Sequence, residues 1–361
     1  MKLLAQLATT FLLLFWPMVM MMSPMMFDAP GSENKRSVVF QALLFLSYPI
    51  PLCALFWLFG SDLFGISGRT LTLSASAIVI TAMIVFGYPQ LLSNSLKGIA
   101  NSGYSVAAGT VYHNATAIDG ALPDSFEELH AGHYRDRYAR DDQRVYFAGQ
   151  VIAGADPASF RYMEALNDEY WADNQHVYLA GIPLEGAQPQ YFSLFPDSWG
   201  NSSSYGVSRN PDGARVYFQQ HYLPDADADS FTVLNDYTAK DARHIFYHET
   251  VVLPEADSAS FELIEDVDHY GKDNNAVYDM LYQHSGVIEG ADPATLQVLG
   301  RGYLRDKNHI YFRSNYQPTE ILAGADAASF EYTNWDEATQ SDARDKHGYF
   351  LHGERLEQAE R

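Results

Sequence analysis

Residues 138–160 read Tyr-Ala-Arg-Asp-Asp-Gln-Arg-Val-Tyr-Phe-Ala-Gly-Gln-Val-Ile-Ala-Gly-Ala-Asp-Pro-Ala-Ser-Phe. Tyr138 to Asp141 is a short strand entering a turn, because an Asx side chain bonds readily to backbone just ahead of it. Val145-Tyr146-Phe147 is the returning strand. Its period of two sends Val145 and Phe147 to one side and Tyr146 to the other. Ala148-Gly149 turns the chain into a third short strand, Val151-Ile152. Asp156 to Phe160 then has the features of a single helical turn: aspartate as N-cap, proline preorganised at the first helical position, and phenylalanine as a core plug.

Both halves of this segment recur. The second returns as Gly186–Phe192 (GAQPQYF), Asp225–Phe231 (DADADSF), Glu255–Phe261 (EADSASF), Gly290–Leu296 (GADPATL) and Gly324–Phe330 (GADAASF), with Gly120–Phe126 (GALPDSF) as an outlying first copy. The first returns at Tyr170–Leu179, Tyr237–Tyr247, Tyr270–Tyr278 and Tyr303–Phe312, and in diverged form at Tyr205–Phe218 and Asp342–Leu351. Asp141 to Asp173 and Asp241 to Asp273 are each 32 residues apart, and Asp306 follows one residue later than that spacing. A hairpin with one helical turn cannot bury its own apolar face, whereas stacked copies can. The expected fold is therefore a mainly β repeat domain: short antiparallel hairpins, each followed by a helical turn, in a solenoid-like or ring-like array.

The turn Asp306-Lys307-Asn308 followed by Tyr311-Phe312, and Asp273-Asn274-Asn275 followed by Tyr278, resemble the bacterial DKNYY family. The resemblance runs over roughly residues 111–352. Seven copies in phase with an alternating second block make it specific. It implies a secreted or membrane-anchored envelope protein with the repeats outside the cytoplasm, and it carries over no catalytic residue. The chain departs from the pattern in an insertion at Arg209–Ala214 and where Ala228, Ser258 and Ala327 replace the proline.

The rest of the chain is apolar. Leu3–Met22, Val38–Phe59 and Leu71–Leu92 are uncharged runs of membrane-spanning length, about 20 residues for a hydrocarbon core of about 30 Å. They predict a membrane region over 1–95 with three transmembrane helices, at about 3–22, 38–59 and 71–92. A linker over 96–110, the repeat domain over 111–352 and a polar tail over 353–361 complete the expected division. The first run lacks a small-x-small cleavage site, so it reads as a retained helix rather than a signal peptide. The positive charges flanking the runs are evenly divided and leave orientation open.

The chain has 23 basic and 45 acidic residues; five and three of these fall in 1–110, leaving 18 and 42 in the remainder, a formal net of −24. A field this negative repels nucleic acid, which is not an expected partner, and anionic lipid headgroups; it would attract cations or a basic partner, and the plain alternative is that it serves solubility alone. Cys53, the only cysteine, lies in an apolar run, so the soluble part has no disulfide.

Chemistry is hard to find. Asp225-Ala-Asp227-Ala-Asp229 has the alternation of a calcium loop, but serine stands where glycine is needed and aspartate at the twelfth position. Asp141, Asp173, Asp241, Asp273 and Asp306 are expected to bond their own turns. His176, His244 and His309 share a position with Arg144, Arg215 and Ala276, which a metal ligand would not do. No nucleophile elbow, zinc helix motif or phosphate loop is present. No cofactor is expected, and an enzyme is not. Phe160, Phe231, Phe261 and Phe330 are expected core plugs. Tyr146, Tyr178, Tyr217, Tyr278 and Tyr311, if they face outward, form a stripe for binding peptide or glycan. The expected function is a non-catalytic interaction module anchored in the bacterial inner membrane as a multi-pass protein, contacting membrane lipid and a protein or envelope partner. The alternatives are a toxin-immunity protein, and an enzyme or transport accessory.

Overall fold

A computed structural model describes residues 2–132, 137–164, 166, 169–196, 202–264, 269–280, 286–314 and 317–356. The chain divides into two compact units, Met1–Tyr162 and Met163–Arg361.

The first unit opens with five α-helices: α1 (Lys2–Met21), α2 (Arg36–Leu46), α3 (Pro49–Leu58), α4 (Gly68–Val85) and α5 (Tyr88–Lys97). Pro49 and Pro51 sit at the start of α3, where the missing N–H costs nothing, and α2 and α3 meet at a bend of 49°. Gly68 lies so close to α3 that a Cβ there would stand 2.3 Å from the Trp57 backbone nitrogen. Trp16, Met20, Leu46, Val79 and Tyr88 form a small core between the helices. By length and composition one helix, α4, suffices to cross a membrane, and the bent pair α2–α3 passes the same test when taken together. The apolar part of α1, Gln6–Met21, is shorter. The expectation of three separate full-length spans is thus reduced to one or two candidates.

The same unit contains the first β-repeats. Tyr104–Ala107, Thr110–His113 and Thr116–Ala117 form a three-stranded antiparallel sheet. The expected domain boundary at 111 falls inside its first hairpin. The expected linker over 96–110 instead holds the end of α5, this first strand and a polar clamp. Asn34 accepts from the Asn101 and Ser102 N–H groups (2.7 and 3.1 Å), and its amide donates to the Ser102 carbonyl (2.9 Å). The next sheet is complete: Glu127–Leu129, Tyr138–Arg140, Val145–Phe147 and Gln150–Val151, each antiparallel to its neighbour.

The second unit contains five more complete four-stranded meanders, at 192–223, 232–252, 262–287, 297–321 and 331–355. Each has one strand more than the sequence suggests. The segment after the phenylalanine plug, such as Thr232–Val233 or Glu262–Leu263, pairs with the hairpin instead of forming a loop. The block before it is one hydrogen-bonded turn: the Ser260 N–H donates to the Asp257 carbonyl (3.2 Å), and Ser230 does the same to Asp227 (3.3 Å). Glu354–Arg355 is the last strand of the final sheet rather than part of a tail; residues 357–361 of that expected tail lie outside the described residues.

The plugs are buried: Phe231, Phe261 and Phe330 in this unit and Phe160 in the first. Gly271 and Gly206, each in the middle of a hairpin strand, make room for a ring. A Cβ on Gly271 would come within 2.3 Å of the Phe261 ring, and one on Gly206 within 2.7 Å of Phe192. Successive sheets are riveted by tyrosine. The Tyr205 hydroxyl donates to the Tyr237 carbonyl of the next sheet (2.7 Å). The Tyr303 hydroxyl meets Asp342 and the Gly353 N–H (both 2.8 Å). Tyr237 itself is 45% exposed; Thr238, fully buried, occupies the strand position that the sequence pattern assigns to tyrosine.

Candidate interaction surface

The recurring aspartates are the hubs of each repeat. Asp273 is buried, and its Oδ1 accepts the Asn275 and Ala276 N–H groups (2.7 and 2.8 Å), which closes its own turn. Its Oδ2 accepts the Asp257 N–H and the Tyr278 hydroxyl (both 2.7 Å). Asp257 begins the preceding capped turn, so one carboxylate ties turn, returning strand and capped turn together. Asp306 repeats the set with Asn308, His309, Asp292 and Tyr311, and Asp141 with Gln143, Arg144, Leu122 and Tyr146. Asp241 takes Arg243, His244 and Asp227. Asp173 takes Gln175, His176 and Tyr178. In the inserted copy Ser208 accepts from the Gln188 N–H instead (3.1 Å).

A second strut runs parallel to the first. Asp257 caps its turn by accepting from the Ala259 N–H (3.2 Å) and the Ser260 hydroxyl (2.7 Å), and Ser260 Oγ accepts the N–H of Asn274, the residue after the hub. Asp227–Ser230–Ala242 and Asp292–Thr295–Lys307 are equivalent. This accounts for the calcium-like triplet: Asp227 is a cap, and Asp229 pairs with Arg209 at 2.9 Å. Among the described residues no group of three or more His, Cys, Asp or Glu side chains is placed to hold a metal.

The electrostatics follow from this geometry. Burial alone would raise the carboxyls of Asp141, Asp241, Asp273 and Asp306; the converging donors outweigh it and hold each below the ordinary aspartate range. The Tyr146 phenol is pushed up to about 12, by burial first and by the Asp141 carboxylate second. Tyr278 and Tyr311 are raised for the same reasons.

The tyrosine stripe is corrected by the structure. Tyr146, Tyr178, Tyr217, Tyr278 and Tyr311 are 0–2% exposed, so no outward-facing stripe exists. These strands are covered on both faces, and the phenol end reaches a hub aspartate or, for Tyr217, the Glu185 carbonyl (2.7 Å). Phe246 and Phe350 fill the same slot without a hydroxyl. A polar inclusion lies nearby: Asp279, buried where other repeats carry Phe147, Phe218 or Phe312, accepts from Thr319 (2.6 Å) and lies 3.8 Å from Arg313.

What does face outward in three of the second unit's sheets is the residue opposite that tyrosine on the last strand; in the sheet at 232–252 the equivalent Val251 is half-buried against the core. Tyr222 opposes Tyr217, Val287 opposes Tyr278 and Ile321 opposes Tyr311; they are 37, 41 and 44% exposed. Pro183 and Val251 hold the equivalent register. The Ile288 N–H donates to the Val277 carbonyl (2.8 Å) and the Leu322 N–H to that of Ile310 (2.7 Å). Alternation in an antiparallel ladder then turns the N–H and C=O of Val287 and Ile321 away from the sheet, onto its free edge. Exposed carboxylates follow within four residues: Glu185, Asp225, Glu255 and Glu289. This surface was missed by sequence reasoning. Its signal was the apolar pair, Tyr222-Leu223, Val287-Ile288 or Ile321-Leu322, where a half-buried strand needs only one apolar residue.

Residues 138–315 match the model of the DKNYY family. No curated protein and no solved structure matches the chain.

Proposed function

We propose that this chain, a member of the DKNYY family through its repeats, is a non-catalytic, membrane-anchored interaction module that holds an acidic repeat array outside the bacterial inner membrane. The observation that carries the interaction reading is the division of labour within each repeat. The recurring polar side chains are spent on internal hydrogen bonds, and what recurs on the outside is an apolar residue on an open sheet edge with carboxylates beside it.

Three passes through the membrane are supported by the ends of the helices. At one end the Gln6 amide donates to the Asp62 carbonyl (3.0 Å), joining the start of α1 to the α3–α4 connection. At the other end the α1–α2 connection meets the segment after α5 through Asn34, Asn101 and Ser102. α1, α2–α3 and α4–α5 therefore alternate in direction, as three spans do. Their outer surfaces are apolar, with Phe11, Leu14, Phe40, Leu44, Ile80 and Ile84 exposed, and only 17% of α4 is buried inside the protein. In a helix of a water-soluble core that share is high; here lipid covers the remainder.

The test is capture from solubilised membranes by the full-length protein, followed by identification of what is retained. A reproducible partner whose retention drops with Tyr222→Ser, Val287→Ser and Ile321→Ser combined is the expected result. Retention of nothing above a detergent-only control would refute the interaction reading. Resistance to carbonate extraction, and activity of an alkaline phosphatase fused after residue 361, test the anchor and its orientation. A fluorescent green fluorescent protein fusion with inactive phosphatase would put the repeats in the cytoplasm.

A further inference from the structure

The partner's chemistry follows from the edge surface, on the premise that the repeats are an interaction module. We infer that the final strands of the second unit receive a segment of another protein in which apolar and basic side chains alternate. Tyr222, Val287 and Ile321 recur at one register position in three sheets, with half-buried Val251 at the same position in the sheet between the first two, so the exposed surface offered to an occupant is apolar at each of the three. Val287 and Ile321 each also present backbone groups on the free edge of its own sheet, which an extended segment satisfies and a rigid helix does not. The charge beside them is of one sign. Asp225, Glu255 and Glu289 are exposed and, among the described residues, none has an ion pair. Elsewhere an arginine covers the equivalent connection: Arg144 donates to the Asp119 carbonyl (3.3 Å), the Arg215 guanidinium lies against Gly186, and Arg355 donates to the Gly324 carbonyl (2.7 Å). At the corresponding position His244, Ala276 and His309 precede the returning strands of the three sheets in between. The uncovered carboxylates coincide with the middle of the apolar register. Within a repeat region of net −24, such a place selects a cation-bearing segment and rejects an acidic one.

The probes are three labelled synthetic peptides of equal length, Lys-Val alternating, Lys-Ser alternating and Glu-Val alternating. They are added to the full chain in discs of zwitterionic lipid, and anisotropy reports binding. The Lys-Val peptide is expected to bind, the Glu-Val peptide not, and the Lys-Ser peptide at least about tenfold more weakly than Lys-Val. Combined Tyr222→Ser, Val287→Ser and Ile321→Ser is expected to abolish the preference for Lys-Val over Lys-Ser. Combined Asp225→Asn, Glu255→Gln and Glu289→Gln should leave that preference and flatten the salt dependence. Because all six side chains are exposed, an unchanged thermal melt confirms that the variants fold. Equal binding of Lys-Val and Lys-Ser, or wild-type binding by the serine variant, overturns the inference, as does no binding of any peptide. If capture from membranes yields a partner while Lys-Val fails, the inference falls and the interaction module stands. If capture yields nothing while Lys-Val binds by the edge, the surface stands and its natural occupant in those membranes does not.

Discussion

Asp273→Asn removes one charge and keeps the shape of the hub, so it isolates what the carboxylate contributes. Asparagine retains an oxygen for the Asn275 and Ala276 N–H groups, now 2.7 and 2.8 Å from Oδ1. It turns an NH2 towards the Asp257 N–H and the Tyr278 hydroxyl, both 2.7 Å from Oδ2. The phenol can rotate and accept from the amide. The Asp257 N–H cannot, and two donors then face each other in a buried site. One orphaned donor costs about 1–3 kcal/mol, and the exchange of charged for neutral hydrogen bonds adds about 1 kcal/mol, for a total of about 3 kcal/mol. Tyr278→Phe removes one donor and leaves the carboxylate three others. Phe246 and Phe350 already occupy that slot over Asp241 and Asp345, so the expected cost is about 1 kcal/mol. Hydrogen exchange by mass spectrometry on the full chain gives the assay. Asp273→Asn should speed exchange in peptides covering 255–261 and 270–280, and Tyr278→Phe should do so several-fold less. Equal effects, or an effect of Asp273→Asn confined to its own turn, would refute the idea that the carboxylate joins the capped turn to the hairpin.

Five further outcomes follow from the same geometry. Phe261→Ala should destabilise its region by about 3–5 kcal/mol, seen as faster exchange across 262–287 with little change in the first unit. Asp257→Ala, which removes a cap from an exposed turn, should cost only about 1 kcal/mol in the same measurement. Gly271→Val should be as damaging as loss of the plug, because its Cβ would stand 2.3 Å from the Phe261 ring; a melt within 1–2 °C of wild type, about the resolution of the measurement, would contradict the packing. The hub carboxyls are lowered in the folded state, so the stability they contribute is complete above the unfolded aspartate value of about 3.9 and is lost as pH falls through the folded values. Near-ultraviolet circular dichroism should therefore be flat from neutral pH to about pH 5 and collapse below about pH 4. The phenol of Tyr146 shifts the other way, so its contribution is complete below the unfolded tyrosine value of about 10 and is lost as pH rises towards about 12, which absorbance titration reads directly.

The period of the array, its β character and the phenylalanine plugs were legible because each is set by local chemistry. An Asx turn, a period of two, and a capped turn ending in an apolar residue are determined by neighbours along the chain. Their repetition at about 32 residues multiplies a weak signal. The apolar content of the first 95 residues and the acidic content of the rest belong to the same class, since they are sums over the chain.

What only the tertiary structure decided is where each side of a strand points and what lies against it. Tyr146 and Val145 have opposite faces by periodicity, yet both are fully buried, because neighbouring sheets and capped turns cover each hairpin from both sides. No alternation in one repeat announces a cover supplied by others. Thr238 taking the place expected for Tyr237 is a one-residue shift of register, and only strand pairing fixes register. The extra strand of each meander is two to six residues long, too short to show a period, and exists because the hairpin edge pairs with it. The hub carboxylates bond backbone groups 14–19 residues earlier, contacts made by folding and invisible in composition. The exposed edge residues were written in the chain as apolar pairs; that one member of each pair is left outside follows only from which positions the stacked sheets fill.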